Sequence, residues 1–97
     1  MIRPYEALYI VRPDLTDEEI TPITDRYKLV IEEQGGVVEE VNRWEKRRLA
    51  YEVKGQNEGI YVLMTFNAEA RAASELDRQL KISDDSLRHI IVRRDEQ

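Results

Sequence analysis

Arg43, Trp44, Lys46, Arg47 and Arg48 fall within six residues, with Glu45 the one acid among them. Guanidinium and ammonium groups around an indole can hold a phosphodiester backbone by charge while the ring stacks on an unstacked base. The run continuing through Leu49-Ala50-Tyr51 therefore has the chemistry of irregular or single-stranded RNA recognition. The same residues also describe a basic strand edge that blocks edge-to-edge pairing, with Trp44 tucked against the fold. Spacing alone does not choose between these. The aromatic motifs of an RNA-recognition module are absent, which favours shape and phosphate recognition over base reading on an aromatic platform. A second basic group, Arg88, His89, Arg93 and Arg94, collects near the C-terminus.

Signals for catalysis are thin. His89 is the only histidine and has no Ser or Cys partner at a recognisable spacing, so it reads as a surface or interface imidazole. Glu18-Glu19, Glu32-Glu33, Glu39-Glu40 and Asp84-Asp85 are sequence neighbours, and neighbours on a helix or strand point apart rather than forming an acid/base pair. With no cysteine, there is neither a disulfide nor a thiolate site, and one histidine cannot build a His-based zinc site. No G-x-G-x-x-G, Walker loop or H-E-x-x-H occurs. An acylphosphatase-like enzyme would cradle phosphate in a glycine-rich loop after its first strand. Here that loop is Arg12-Pro13-Asp14-Leu15, which lacks glycine and carries a repelling acid. No enzyme, metal, cofactor or small-molecule substrate is expected.

The net charge of −5, from 15 basic and 20 acidic residues, argues against nucleic acid only if the charge is evenly spread. It is segregated. Asp14, Asp17, Glu18 and Glu19 gather before and at the start of the first helical stretch, away from the basic runs. Eleven of the 15 cations are arginine, the better fork for phosphate and the better plate for stacking. A length of 97 residues with 41% apolar residues predicts a single domain over 1–97 with one modest core. No apolar run approaches the roughly 20 residues of a membrane-spanning helix, and an intracellular, reducing setting is expected.

The elements that must position these residues follow from periodicity. Alternation predicts a strand from Tyr5 to Arg12. Thr16 and Glu19 have the form of a capping box, and Ile20, Ile23, Tyr27 and Ile31 form a helical stripe, with a kink or restart expected at Thr21-Pro22. Gly35-Gly36 closes that helix as a left-handed cap. A second extended segment runs from Val37 to Val53, bent near Glu45-Lys46, and Gly55 to Gly59 reads as a loop. Ile60 to Phe66 is a third strand. Asn67 is a candidate cap for a helix bearing Ala70, Ala73, Leu76 and Leu80, and Leu87 to Arg93 is a last strand. The order βαββαβ with right-handed crossovers predicts an α+β fold, the ferredoxin-like split βαβ: a four-stranded antiparallel sheet with two helices on one face. Its first and third strands are central. Leu8, Ile10, Tyr61 and Leu63, joined by Ile91, then form an apolar patch on the open face that a partner should cover.

Several motifs together resemble a known family. They are Tyr5-Glu6 with Tyr9-Ile10-Val11-Arg12-Pro13-Asp14-Leu15; Gln34-Gly35-Gly36; Trp44 with Lys46-Arg47-Arg48-Leu49-Ala50-Tyr51-Glu52-Val53; Glu58-Gly59-Ile60-Tyr61-Val62; and Leu87 to Arg93. In order and over the whole chain they are similar to bacterial ribosomal protein six of the small subunit. The resemblance implies a cytoplasmic, ribosome-bound, non-enzymatic protein that binds the central domain of 16S ribosomal RNA together with ribosomal protein eighteen, helping to assemble the platform. On that basis Arg3, Lys46, Arg47, Arg48, Arg88 and Arg93 are expected on phosphates, with Trp44 stacking or supporting. Leu8, Ile10, Tyr61, Leu63 and Ile91 are expected on the protein partner, with His89 between the two sets. The family often has glycine where this chain has Glu45. The alternative from residues alone is a ferredoxin-like interaction or ligand-sensing module that uses its open sheet face.

Overall fold

Alternation along Arg3–Val11 buries Tyr5, Ala7, Tyr9 and Val11 and leaves Glu6, Leu8 and Ile10 half-buried on the other side, which makes this segment the strand β1. The computed structural model describes residues 1–95 and continues with α1 (Asp17–Glu33), β2 (Val37–Val53), β3 (Gln56–Ala68), α2 (Ala70–Ile82) and β4 (Ser86–Arg93). All strand pairs are antiparallel, in the order β2-β3-β1-β4, so β1 and β3 are central. The architecture is the ferredoxin-like one expected from the sequence.

The reciprocal capping box is formed: the Glu19 amide donates to Thr16 Oγ1 at 3.2 Å and the Thr16 amide to Glu19 Oε1 at 3.0 Å. No restart follows. α1 runs unbroken through Pro22, which is exposed, so water can satisfy the carbonyl that loses its partner there. At the other end Gly35 takes φ +84°, its amide donates to the Glu32 carbonyl, and the Gly36 amide donates to the Ile31 carbonyl, a Schellman closure. A Cβ on Gly36 would lie 2.7 Å from Ile31 Cγ2 and 2.8 Å from Ala68 Cβ, so the helix exit packs tightly against the sheet.

Ile20, Ile23, Tyr27 and Ile31 of α1 and Ala72, Leu76 and Leu80 of α2 form one core with the inward faces of β1 and β3. Leu76 and Leu80 are buried as expected; Ala72 is the fully buried alanine, Ala73 is half-buried against the core, and Ala70 is exposed. Nor does Asn67 cap this helix. It remains in β3, and Glu69 occupies the N-cap without a side-chain hydrogen bond. The expected loop from Gly55 to Gly59 is also absent. Lys54 (φ +50°) and Gly55 (φ +79°) make a tight two-residue turn, and β3 starts at Gln56.

Candidate nucleic-acid interface

The face of the sheet turned away from the helices is built in rows across the strands. Tyr61, Ile10 and Arg88 stand side by side, then Leu63, Leu8 and Ile90, then Thr65, Glu6 and Val92. β2 extends these rows with Asn42 beside Leu63 and Glu40 beside Thr65. The surface therefore grades from an aromatic and cationic end, through an aliphatic middle, to an acidic end.

β2 is irregular at three places, between Val38 and Glu40, between Arg43 and Lys46, and between Arg48 and Val53. At the second, Trp44 and Glu45 share the single opposing position of Tyr61, so Glu45 is accommodated in a bulge that bends the strand where the sequence suggested. The bulge keeps Trp44 on the open face, where its ring stacks on Tyr61 (centroids 6.1 Å apart, planes 12° apart). The Arg47 guanidinium lies over the indole, 5.0 Å from its centroid. At the third, Leu49 to Glu52 arch over the open face. The arch is tied to β4 by contact of the Arg88 guanidinium with the Tyr51 hydroxyl and by Lys54 Nζ donating to the Ser86 carbonyl at 2.9 Å.

The cations divide by partner. Arg3, Arg12, Arg43, Arg71, Arg78, Lys81, Arg93 and Arg94 all lie within ion-pair distance of carboxylates. Among the described residues Lys46, Arg47, Arg48, Lys54 and Arg88 have no such partner, although Glu45, Glu52 and Glu58 share the hairpin and Glu58 stands opposite Arg48. Lys28 and Arg26, on α1, are also without a carboxylate. Arg47, opposite Gly59, and Arg88, opposite Ile10, stand on the open face, whereas Lys46 and Arg48, opposite Ile60 and Glu58, project from the other side of the hairpin. Positive charge left uncompensated around this end of the sheet is what an anionic backbone can use. Arg3 and Arg93 differ: both contact Asp95, and their guanidiniums hold its carboxyl below the usual range, Arg93 most strongly.

The open-face assignment of β4 is corrected. Arg88, Ile90 and Val92 occupy that face, with Ile90 57% and Val92 42% exposed, whereas His89, Ile91 and Arg93 lie opposite Tyr9, Ala7 and Tyr5 on the helix side. Ile91 packs against the core. His89 Nε2 sits 2.7 Å from Asp77 Oδ1 of α2, and Lys81 Nζ is 2.9 Å from the other oxygen. The two hydrogen bonds, Lys81 first, hold the Asp77 carboxyl below its usual range. A carboxylate depressed in the folded state contributes stability above its unfolded value near pH 4 and loses it as pH falls through the folded value. Asp77→Asn is therefore expected to flatten the acid limb of a pH-resolved melting series below about pH 4; an unchanged limb would show that this cluster does not couple β4 to α2.

Leu8, Ile10, Tyr61 and Leu63 lie together on the open face as expected, joined by Leu49 and Tyr51 from the run read for RNA, while Ile90, Val92 and Lys54 border this surface without having been assigned to it from the sequence. The phosphate-loop alternative loses its cation. Arg12 donates to Asp85 at 2.8 Å and lies 3.5 Å from Asp14, so its charge is spent on fastening β1 to the turn before β4.

Fold and surface together define a ferredoxin-like protein whose distinctive feature is a partly apolar open sheet face with uncompensated cations around one end. The comparisons with known proteins agree. Residues 4–93 match the family model for ribosomal protein S6. Small ribosomal subunit protein bS6 of Carboxydothermus hydrogenoformans is 52% identical over 98% of this chain and 99% of its own length, and that of Desulforamulus reducens 48% identical over 98% and 100%. The crystal structure of 30S ribosomal protein S6 from Thermotoga maritima superposes with a TM-score of 0.88 at 32% identity, covering 97% of this chain and 89% of that one. The chain belongs to the ribosomal protein S6 family: it is a structural, non-enzymatic component of the small ribosomal subunit, at work in the cytoplasmic ribosome.

Proposed function

We propose that the open face and the hairpin act as one joint surface, on which Lys46, Arg47, Arg48 and Arg88 meet phosphates of the central domain of 16S ribosomal RNA while the rows of Leu8, Ile10, Tyr61 and Leu63 meet ribosomal protein eighteen. The pair then helps to build the platform of the small subunit. The observation that supports this reading is the juxtaposition of Arg47 and Arg88, which lack carboxylate partners, with aliphatic side chains left uncovered by either helix, while Lys46 and Arg48 flank them from the other side of the hairpin. Trp44, stacked on Tyr61 beneath Arg47, is held at the junction. Arg3 and Arg93, held by Asp95 at the far end of β1 and β4, would make a phosphate contact separate from that of the hairpin.

Energetics favour joint binding. A net charge of −5 opposes long-range attraction of the lone chain to RNA, so its few phosphate contacts act over little more than a Debye length of about 8 Å. A basic partner removes that opposition and adds its own contacts. Labelled central-domain RNA titrated with this chain alone is expected to bind feebly, and with the pair far more tightly and with steep salt dependence. Equal, salt-insensitive affinities would sink the joint surface.

A further inference from the structure

In a regular strand, residues three apart point to opposite faces, so Trp44 and Arg47 would not meet. β2 brings them together through its second irregularity. Arg43 stands opposite Val62, and regular pairing onward from there would set Lys46 opposite Gly59 and Arg47 opposite Glu58, on the side of the hairpin away from Trp44. The bulge at Trp44 and Glu45 delays the register by one residue. Lys46 meets Ile60 instead, Arg47 meets Gly59, and Arg48 takes the place opposite Glu58. Arg47 is thereby moved from a position facing a carboxylate to the open face, where Gly59 offers it no side chain and its guanidinium lies over the indole.

The indole is itself held in place. It stacks on Tyr61 of the central strand β3 with centroids 6.1 Å apart, and it carries Arg47 Cζ 5.0 Å from its own centroid. A base stacking on this ring would have to compete with both neighbours. A guanidinium seated on a ring by its face, in contrast, keeps the N–H fork at its edge for phosphate. It has also given up part of its rotamer freedom before RNA arrives, so less is lost on binding. From this geometry we infer that Trp44 is a positioning residue: it does not touch RNA but holds the Arg47 guanidinium in the orientation that meets phosphate, on a strand face that the bulge at Glu45 makes available. The inference rests on the function proposed above and adds how one of its contacts is prepared.

A double-mutant cycle tests it, with labelled central-domain RNA titrated into this chain saturated by ribosomal protein eighteen. Arg47→Ala is expected to weaken RNA binding about five- to tenfold, and Trp44→Leu, which changes no charge, about three- to fivefold. The double variant should bind no worse than Arg47→Ala alone, because the indole acts only through the guanidinium. Trp44→Phe keeps a ring beneath Arg47 and should restore affinity to within about twofold of the unmodified chain. Losses that multiply in the double variant would put the indole on RNA directly and overturn the inference. So would full affinity in Trp44→Leu, an equal loss in Trp44→Phe, or a loss traced by calorimetry without RNA to weaker pairing with the protein partner. Each of these leaves the proposed function standing. Failure of the unmodified pair to bind the RNA would overturn that function and the inference with it.

Discussion

Replacing Lys46, Arg47, Arg48 and Arg88 together by alanine is expected to cost the assembled pair on the order of a hundredfold or more in affinity for central-domain RNA, with almost no loss of folding stability. The two halves of this result have one cause. None of the four is ion-paired within the described residues, so their removal leaves no buried carboxylate stranded, and Arg47 and Arg88 forfeit only solvent-exposed contacts with Trp44 and Tyr51. On RNA, each lost phosphate contact also removes counterion release, so the slope of log affinity against log salt should shrink by roughly 0.7 to 0.9 for every contact. Filter binding at several salt concentrations, with a melting curve for each variant, measures both. An unchanged slope would place the RNA elsewhere. Arg12, Arg43 and Arg78, which are fastened to carboxylates, supply the contrasting alanine set and should leave the slope nearly as it was.

Phe66→Ala should do the opposite, strongly destabilising the fold and weakening function only through it. Phe66 is fully buried, stacked on Tyr5 with ring centroids 5.4 Å apart, and lies in register with Tyr5 of β1 on one side and Val38 of β2 on the other. Truncation there opens a void in the layer joining three strands, at a cost of about 3–5 kcal/mol. That is a large share of the roughly 5–15 kcal/mol that stabilises an ordinary domain. A fall in melting temperature of roughly 15 °C or more is expected by scanning calorimetry. Val92→Ala, on the exposed face of β4, should move it very little. If the two variants melted alike, the helix-side layer would not be the stability-determining core.

Local rules were legible where one physical demand dominates. Thr16 and Glu19 announced the start of α1, Gly35 its end, and the spacing of Ile20, Ile23, Tyr27 and Ile31 its buried face, because hydrogen bonds unmet at helix ends and apolar side chains exposed to water are costly anywhere. β4 was not legible in the same way. Arg88, Ile90 and Val92 alternate with His89, Ile91 and Arg93, and both sets mix charge with aliphatic side chains. The face is decided by groups distant in the chain, including Asp77, which holds His89 against α2. The start of β3 was obscured for a different reason. Gln56, Asn57 and Glu58 belong to a hairpin that extends beyond the helix-covered core, where no hydrophobic pattern is required. Gly59 there serves packing rather than a turn, since a Cβ would lie 2.2 Å from Ile10 Cγ2. Charge pairing was equally hidden: Arg43 finds Asp17 on α1 and Arg12 finds Asp85. Sequence neighbourhood therefore could not reveal which cations remain available.

The strand order carries a consequence for synthesis. β1 is made first, yet its neighbours in the sheet are β3 and β4, and pairing Tyr5 with Arg93 draws together residues from opposite ends of the chain. A nascent polypeptide lacking its last strand would leave one edge of β1 bare and Tyr9 incompletely enclosed. Contacts so remote in sequence are slow to close, and they make productive folding wait until translation of this segment is complete. The complete open face thus exists only once β4 has been made and has paired with β1.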